Sequence, residues 1–334
     1  MAGAGSEAAV PSSAAVVVTG ADGFIGRALC AHWRRAGRAF RAVVRRPGSA
    51  SPLPAGWVRC DDLARADDAG LDALLEGATA IVHLAGRAHV MREEAADPEA
   101  AYRAANVEAT LRLARAAVRA GVARFVLASS IKVNGEASPP GRAVGPGDRP
   151  APADAYARSK LAAEQGLAAI AAGTALAPIA LRLPLVYGPG VGANFLALLD
   201  AVARRRLLPL GAVTAKRSLL YVGNLATAID AALDAHPAPA GVHCLADASP
   251  VTVPELVRAL ARALGVDARL LALPVPLLDL AGRLTGRQAV VRRLTTPLEV
   301  DASGFAAATG WAPAATLEQG LADTARWWRG RHSL

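Results

Sequence analysis

The sequence predicts an α/β protein built on a doubly wound parallel sheet, with a smaller α+β lobe towards its C-terminal end. Three observations lead there. Near-continuous apolar runs alternate with helix-like segments through the first half, as strands covered on both faces do. The first run, Val16–Thr19, passes straight into glycines at Gly20, Gly23 and Gly26 and then into the helix-like RALCAHWRRAG. After Tyr187-Gly188-Pro189-Gly190 the alternation loosens, proline and glycine become frequent, and the elements shorten.

Taken in order, the opening strand, glycine turn and helix N-terminus suit a pyrophosphate. Glycines let backbone N–H groups approach the phosphates, and the helix dipole favours their charge. A second strand over Arg38–Val44 ends at Arg45-Arg46-Pro47. A third covers Trp57–Cys60 and runs into Asp61-Asp62-Leu63, followed by a short helix at Leu71–Leu75. The fourth strand, Ala80–Leu84, leads into Ala85-Gly86, and a helix from Pro98 to Ala120 carries apolar residues at helical spacing. The fifth strand, Arg124–Ala128, ends in Ser129-Ser130. The Pro/Gly-rich loop 137–153 and a helix over Ala155–Ala171 follow, and then a sixth strand, Pro178–Leu183. Residues 15–190 are thus expected to form a Rossmann-like dinucleotide-binding domain. Ligands of such sheets bind beyond the strand C-termini, where Gly20, Arg45, Asp62, Ala85 and Ser130 all fall.

Residues 191–330 are expected to form mainly a substrate-binding lobe, some of whose strands interleave with the sheet. Helices are predicted at Asn194–Arg206, Asn224–Ala235, Val253–Leu264, Pro276–Leu284 and Leu317–Arg329, with short strands at Leu219–Val222, Val242–Ala246 and Leu270–Leu273. Residues 1–14 are read as a disordered tail without the basic and apolar regions of a signal peptide. No charge-free apolar run is long enough for a membrane span. Cys30, Cys60 and Cys244 are scattered in apolar settings, which gives neither a disulfide framework nor a metal pattern, so no metal is expected and a reducing cytoplasm is. The net charge of +9 is carried almost wholly by arginine. The arginines are dispersed and no recognition motif accompanies them, so a nucleic-acid partner is set aside in favour of a smaller anion such as a nucleotide diphosphate.

A second constellation lies at Tyr156-Ala157-Arg158-Ser159-Lys160. Tyr156 and Lys160 are four apart on a predicted helix and share a face. A phenol with a pKa of about 10 is a poor base at neutral pH, and a nearby ammonium lowers that value by stabilising phenolate. The same lysine can hold the ribose hydroxyls of a nicotinamide nucleotide, and Ser130 can hydrogen-bond a substrate oxygen. Together these groups suit proton transfer at a carbinol oxygen while hydride passes to or from nicotinamide.

TGADGFIG, HLAG at His83–Gly86, Asn106, Ser129-Ser130, YARSK, VYGPG and the distal GWAP followed by LEQGLADTARWW resemble, as a set, the extended short-chain dehydrogenase/reductases, the NAD-dependent epimerase/dehydratase group. The resemblance covers about Val16 to Trp328. It implies that Gly20, Gly23 and Gly26 cradle the pyrophosphate, with Phe24 and Ile25 opening the helix. It puts Asp62 and Leu63 at the adenine, and Leu84, Ala85 and Gly86 under the cofactor. Ser130, Tyr156 and Lys160 are the implied catalytic residues, with Lys160 also holding the cofactor. Asn106 is expected to brace the catalytic strand, and His83 to be structural rather than a base. Ser130, Lys132, Asn194 and Arg217 are the implied substrate contacts, the last two at the nucleotide diphosphate of a sugar. The family also implies a homodimer through the helices at 98–120 and 155–171.

Three departures from the family pattern bear on the reaction. Members that prefer NAD carry an acid after the second strand; here Arg45 and Arg46 stand there and suit a 2′-phosphate, so NADP(H) is favoured over NAD(H). In SSIKVNGE, Lys132 and Asn134 replace a small or hydroxyl residue and a tyrosine, and Leu185 replaces an asparagine found in many 4-epimerases. SSIKVNGE, the loop RAHVMREEAADP and GANF resemble bacterial enzymes of O-antigen and capsule assembly. Those reduce the 4-keto group of a UDP-2-acetamido-2,6-dideoxy-hexos-4-ulose. NADPH-linked 4-keto reduction is therefore the leading expectation, with Lys132 either adding positive charge near the oxyanion or pointing to solvent. A UDP-sugar 4-epimerase is the runner-up. A 4,6-dehydratase would carry a Thr-Asp-Glu arrangement at the end of the fifth strand, where SSIKV has no acid, and a non-catalytic NADP sensor would lack the tyrosine–lysine pair.

Overall fold

The computed structural model describes residues 15–45, 56–88 and 96–332. The expected tail, Arg46 and part of the RAHVMREEAADP loop lie outside the described residues. In chain order the first half holds β1 (Ala15–Thr19), α1 (Phe24–Ala36), β2 (Phe40–Val44), β3 (Trp57–Arg59), α2 (Asp68–Leu75) and β4 (Ala78–His83). It continues with α3 (Pro98–Tyr102), a π-helical turn (Arg103–Glu108), α4 (Ala109–Arg119), β5 (Arg124–Ser130), α5 (Ala155–Ala171) and β6 (Ala177–Leu183). The second half holds β7 (Leu185–Tyr187), α6 (Ala193–Ala203), β8 (Lys216–Arg217), β9 (Leu219–Tyr221), α7 (Val222–Asp234), β10 (Gly241–Cys244) and β11 (Val251–Thr252). Then come α8 (Val253–Leu264), α9 (Val275–Leu284), α10 (Gln288–Thr295), α11 (Ser303–Thr309) and α12 (Leu317–His332).

Seven parallel strands form the main sheet in the order β10-β6-β5-β4-β1-β2-β3. Alternate side chains along each strand go to opposite faces, and the two cores show it. Val16, Val18, Ala42, Val44, Ala80, Val82 and Val126 pack with Leu29 and Trp33 of α1 and Leu225 and Ile229 of α7. Val17, Val43, Ile81, Phe125 and Leu127 pack on the other face with Leu71 and Leu75 of α2, Leu113 of α4 and Leu167 of α5. Doubly wound packing thus follows from central strands that place apolar side chains on both faces. Trp33, fully buried, also donates its indole N–H to Asp230 and so ties α1 to α7.

The expected strand near Val242 forms as β10 and completes the sheet beside β6, and α7 covers the same face as α1. α11 packs Phe305 against His243 of β10, and the other second-half elements gather around Tyr187, Phe195, Val257, Leu260 and Leu321, with the parallel pair β7–β9 and the antiparallel pair β8–β11. α8 carries a complete capping box, Thr252 with Glu255, and stops at Gly265 in the left-handed conformation. The strand expected at Leu270–Leu273 is only an extended connection, bridged once between Leu270 and Leu208. Pro274 and Pro276 follow it and lack the donors that a longer ladder needs. α10 and α11 were not expected. Neither has a side-chain N-cap bond, so the sequence offers no start signal for them.

Candidate active site

The first strand delivers a turn that only glycine can make. Gly20 has φ +69°, and a Cβ there would lie 2.7 Å from the Ala85 amide nitrogen after β4. A Cβ on Gly26 would come within 2.1 Å of the Gly20 carbonyl oxygen, so this glycine lets α1 sit directly on the turn. Gly23 is the N-cap of α1, and Phe24 and Ile25 open the helix as expected. The turn fits the pyrophosphate of a dinucleotide: a close backbone and a helix N-terminus, whose first-turn N–H groups lack intrahelical partners, meet at the sheet's C-terminal edge.

At the neighbouring strand end, Ser130 closes β5 and Tyr156 and Lys160 project from the first two turns of α5. Asp154 starts that helix by accepting from the Ala157 N–H at 2.7 Å, a strong N-cap. Ser130 hydrogen-bonds the Tyr156 hydroxyl. The Lys160 ammonium lies 6.0 Å from the Tyr156 ring centroid and donates to the Ala128 carbonyl at 2.8 Å. Burial lowers the Lys160 pKa to about 8, with Glu164 pulling the other way. Burial raises Tyr156 to about 12; the Ser130 bond opposes this, and Asp154 and Tyr102 add to it. The expected lowering of the phenol by Lys160 is not found: desolvation dominates, and the opposing contribution comes from Ser130.

A chain of buried hydrogen bonds joins this pair to the glycine turn. Ser159 donates to the Tyr156 carbonyl at 2.7 Å, and Asn106 Nδ2 donates to Ser159 Oγ at 2.9 Å. Asn106 Oδ1 accepts from the Arg87 N–H at 2.7 Å, and a Cβ on Gly86 would lie 2.7 Å from that same oxygen. Asn106 sits in the π-helical turn, which aims it sideways. It braces the loop after β4 and helix α5, not strand β5 as expected. Thr110 donates to the Asn106 carbonyl at 2.6 Å, so its oxygen must accept from His83 Nε2, 3.1 Å away. His83 Nδ1 is then left to accept from Thr19 Oγ1 at 2.7 Å, and Thr19 Oγ1 accepts from the Ala85 N–H at 3.3 Å. Every proton in the chain is assigned, and His83 is held neutral. Burial, helped by the Lys160 charge, lowers its pKa to about 3. It is structural, as expected.

The SSIKVNGE segment is organised by partners that the sequence reading did not foresee. Lys132 Nζ meets Asp154 Oδ2 at 2.6 Å and Glu136 Oε1 at 3.6 Å. Its charge is neither loose in solvent nor unopposed beside the reacting oxygen. Asn134 Oδ1 accepts from Arg182 at 3.0 Å, and its amide reaches the Gly145 and Asp148 carbonyls, which fixes the 137–153 loop. Arg182 in turn forms a buried bidentate pair with Glu164 of α5, at 2.6 Å for the shortest contact, and Ser129 donates to the same carboxylate. An arginine inside the apolar strand run PIALRL was the available signal, because a buried charge requires a partner.

The other expected contacts are more scattered. Arg45 is exposed at the end of β2. Asp62 is exposed and caps its own turn by accepting from the Ala64 N–H, while Leu63 turns into the core. Leu84 and Ala85 follow β4 beside Gly20. Asn194 is exposed in the first turn of α6. Arg217 is half-buried and gives one Nη to the Arg293 and Thr296 carbonyls at the C-terminal end of α10, 2.8 and 2.7 Å away.

A parallel sheet with this glycine turn, and with serine, tyrosine and lysine gathered beside it, defines an extended short-chain dehydrogenase/reductase. The chain belongs to the NAD dependent epimerase/dehydratase family, whose pattern it matches over residues 16–243. A UDP-glucose 4-epimerase from Vibrio cholerae is 39% identical over 254 residues, 75% of this chain and 77% of that one. A ceramide reductase from Caulobacter vibrioides is 27% identical over 333 residues, 94% of each. Among solved structures, MoeE5 in complex with UDP-glucuronic acid and NAD has a TM-score of 0.74 at 30% identity, covering 96% of this chain and 100% of that one.

Proposed function

We propose that this chain is an NADPH-linked reductase acting at C4 of a nucleotide-diphosphate sugar, with a UDP-4-keto-6-deoxy-N-acetylhexosamine of surface polysaccharide assembly as its substrate. The observation that carries the reading is the grouping of Tyr156, hydrogen-bonded by Ser130 and beside the buried Lys160, at the same sheet edge as the glycine turn. Gly20, Gly23, Phe24, Ile25 and Gly26 would take the pyrophosphate. Asp62, Leu63, Leu84, Ala85 and Gly86 would line the rest of the cofactor, and Arg45 and Arg46 its 2′-phosphate. When bound, the nicotinamide supplies the hydride. Ser130 orients the substrate carbonyl. Tyr156 gives its proton to the oxygen that gains the electron pair, and Lys160 stabilises the resulting phenolate until solvent returns the proton. Asn194 and Arg217 would face the sugar's diphosphate. A homodimer through α4 and α5 belongs to the same proposal.

The second reading is a UDP-sugar 4-epimerase, favoured by the Vibrio cholerae relative and by the NAD bound to MoeE5. In that reading Tyr156 acts first as base and then as acid on the same oxygen. The two separate on nucleotide balance. The reductase consumes NADPH in proportion to 4-keto sugar, whereas the epimerase interconverts UDP-glucose and UDP-galactose with no net consumption. Near-stoichiometric NAD released from freshly purified protein would overturn the reductase. Arg45→Asp with Arg46→Ser is expected to move the NADPH-to-NADH ratio of kcat/KM by roughly ten-fold or more, the loss of a charge-assisted phosphate contact. An unchanged ratio removes the arginines from cofactor choice.

A further inference from the structure

The helical hairpin α9–α10 carries apolar side chains on the wrong face for a surface element. Its inner side is satisfied: Leu278 and Gly282 are buried, and a Cβ on Gly282 would touch Val291 and Gln288 of α10. Its outer side should then be polar. Instead Leu277, Leu280, Ala281 and Leu284 recur there at helical spacing. Leu277 and Leu280 are half exposed, and Leu284, at the tip, is 80% exposed. Val290 of α10 and Leu271 just before the hairpin are exposed as well.

The rim of this face is basic. Arg283, Arg287 and Arg292 are exposed. Arg283 leans on Asp279 at 2.8 Å, and neither Arg287 nor Arg292 has an acidic partner among the described residues. Arg283 and Arg287 bracket Leu284, so the most exposed leucine among the described residues is flanked by guanidinium groups. Asp279 is the single acid in the stretch 269–296, which holds five arginines.

We propose that this hairpin docks the protein on an anionic lipid surface. The leucines would enter the acyl boundary and the arginines would meet lipid phosphates. That is the division of labour of an interfacial amphipathic helix lying in the membrane plane. No helix among the described residues is long and apolar enough to cross a membrane, so the attachment is to the surface. A second copy of the chain fits poorly. An isologous pairing would set one arginine rim against its own image, and like charges repel. Ser130, Tyr156 and Lys160 stand on β5 and α5, whereas the leucines of this face stand on α9; α10 meets the proposed substrate residues through the Arg293 and Thr296 carbonyls, which hold Arg217. Docking therefore goes beyond the proposed reaction and does not depend on it.

The test is flotation of the full chain with vesicles of phosphatidylcholine alone and of phosphatidylcholine with about a third phosphatidylglycerol, at low and high salt. Binding is expected to the anionic vesicles, weaker on the neutral ones by roughly ten-fold or more and largely lost at high salt. Leu277→Ser, Leu280→Ser and Leu284→Ser combined replace exposed side chains, and their thermal melts should match the parent. The triple variant should lose most of the binding, and so, separately, should Arg287→Glu with Arg292→Glu. Failure of the parent chain to bind anionic vesicles overturns the proposal, as does undiminished binding by the triple variant. A parent that ignores vesicles but is a dimer dissociated by the serine variants would make the face an interface between copies, and this too overturns it. The proposed reductase would be untouched by any of these failures, because NADPH oxidation is measured without lipid.

Discussion

Two buried cations lie near each other on the β5–α5–β6 unit, and the fold treats them in opposite ways. Arg182 is clamped by Glu164, with Asn134 taking a further N–H and Ser129 filling the remaining carboxylate position. Lys160, one helical turn before Glu164, has a single neutral acceptor, the Ala128 carbonyl, and feels Glu164 only at a distance. The first arrangement satisfies every charge and leaves nothing for a ligand. The second leaves an ammonium with spare donors, destabilised to a pKa of about 8, and turned to Tyr156 and Gly86. A fully satisfied buried charge is a strut, and a half-satisfied one at a sheet edge is a tool.

The largest expected effect tests the tool. Tyr156→Phe removes the donor and keeps the ring against Tyr102. Turnover should fall by roughly 10²–10⁴-fold while cofactor binding, followed by quenching of protein fluorescence, stays within a few-fold. Retained turnover would take the proton from another group. The strut is tested by stability. Glu164→Gln should destabilise the chain by about 3–5 kcal/mol in urea unfolding, because Arg182 keeps a buried, uncompensated charge. Replacing both, Glu164→Leu with Arg182→Met, should recover much of that loss. If Glu164→Gln instead lowered kcat without moving the urea midpoint, the two cations would not differ in kind.

The same contrast governs what the sequence disclosed. The tool was legible because its chemistry imposes local spacing: three glycines in seven residues, and a tyrosine four before a lysine. Helix α5 matches its expected bounds, Ala155–Ala171, because its face repeats over four turns. The strut was not legible, because Ser129, Asn134, Glu164 and Arg182 come from four separate segments that only the sheet brings together. Lys132 was read from its own segment alone, yet its partner is the N-cap of α5, 22 residues on. β10 was recognised as a strand, but its place beside β6 depends on a crossover that no local pattern encodes.

His83 supplies a smaller, pH-dependent test of the hydrogen-bond chain that links the turns after β1 and β4. In the unfolded chain its imidazole protonates near pH 6.5, while in the folded chain it stays neutral until about pH 3. Between those values the unfolded state binds more protons. Stability must therefore fall as pH drops from about 6.5 to 3, and be unaffected by this group above 6.5. His83→Gln has no such titration. Its melting temperature should lie below the parent's at pH 7.5, through lost hydrogen bonds, and should decline less steeply on acidification. Parallel pH profiles for the two proteins would mean that His83 is not held neutral by burial.

The smallest effect concerns Lys132, which touches the tool only through the helix cap. Tyr156 is faced by Ser130, Tyr102, Lys160 and the Asp154 carboxylate two residues before it. Asp154 raises the phenol's pKa, and Lys132, at 2.6 Å, offsets that charge together with the more distant Arg158; Glu136 shares the ammonium from the other side. Lys132→Met leaves Asp154 more negative towards the ring. The phenol should then hold its proton to higher pH, and the Tyr156 limb of the reductive rate, which lies above the Lys160 limb near pH 8, should move upward by less than about one pH unit. Lys132→Arg keeps the charge and should restore the limb. A purely structural role would lower kcat or stability without moving the limb, and a downward shift would mean that Lys132 acts on the substrate oxygen directly rather than through Asp154.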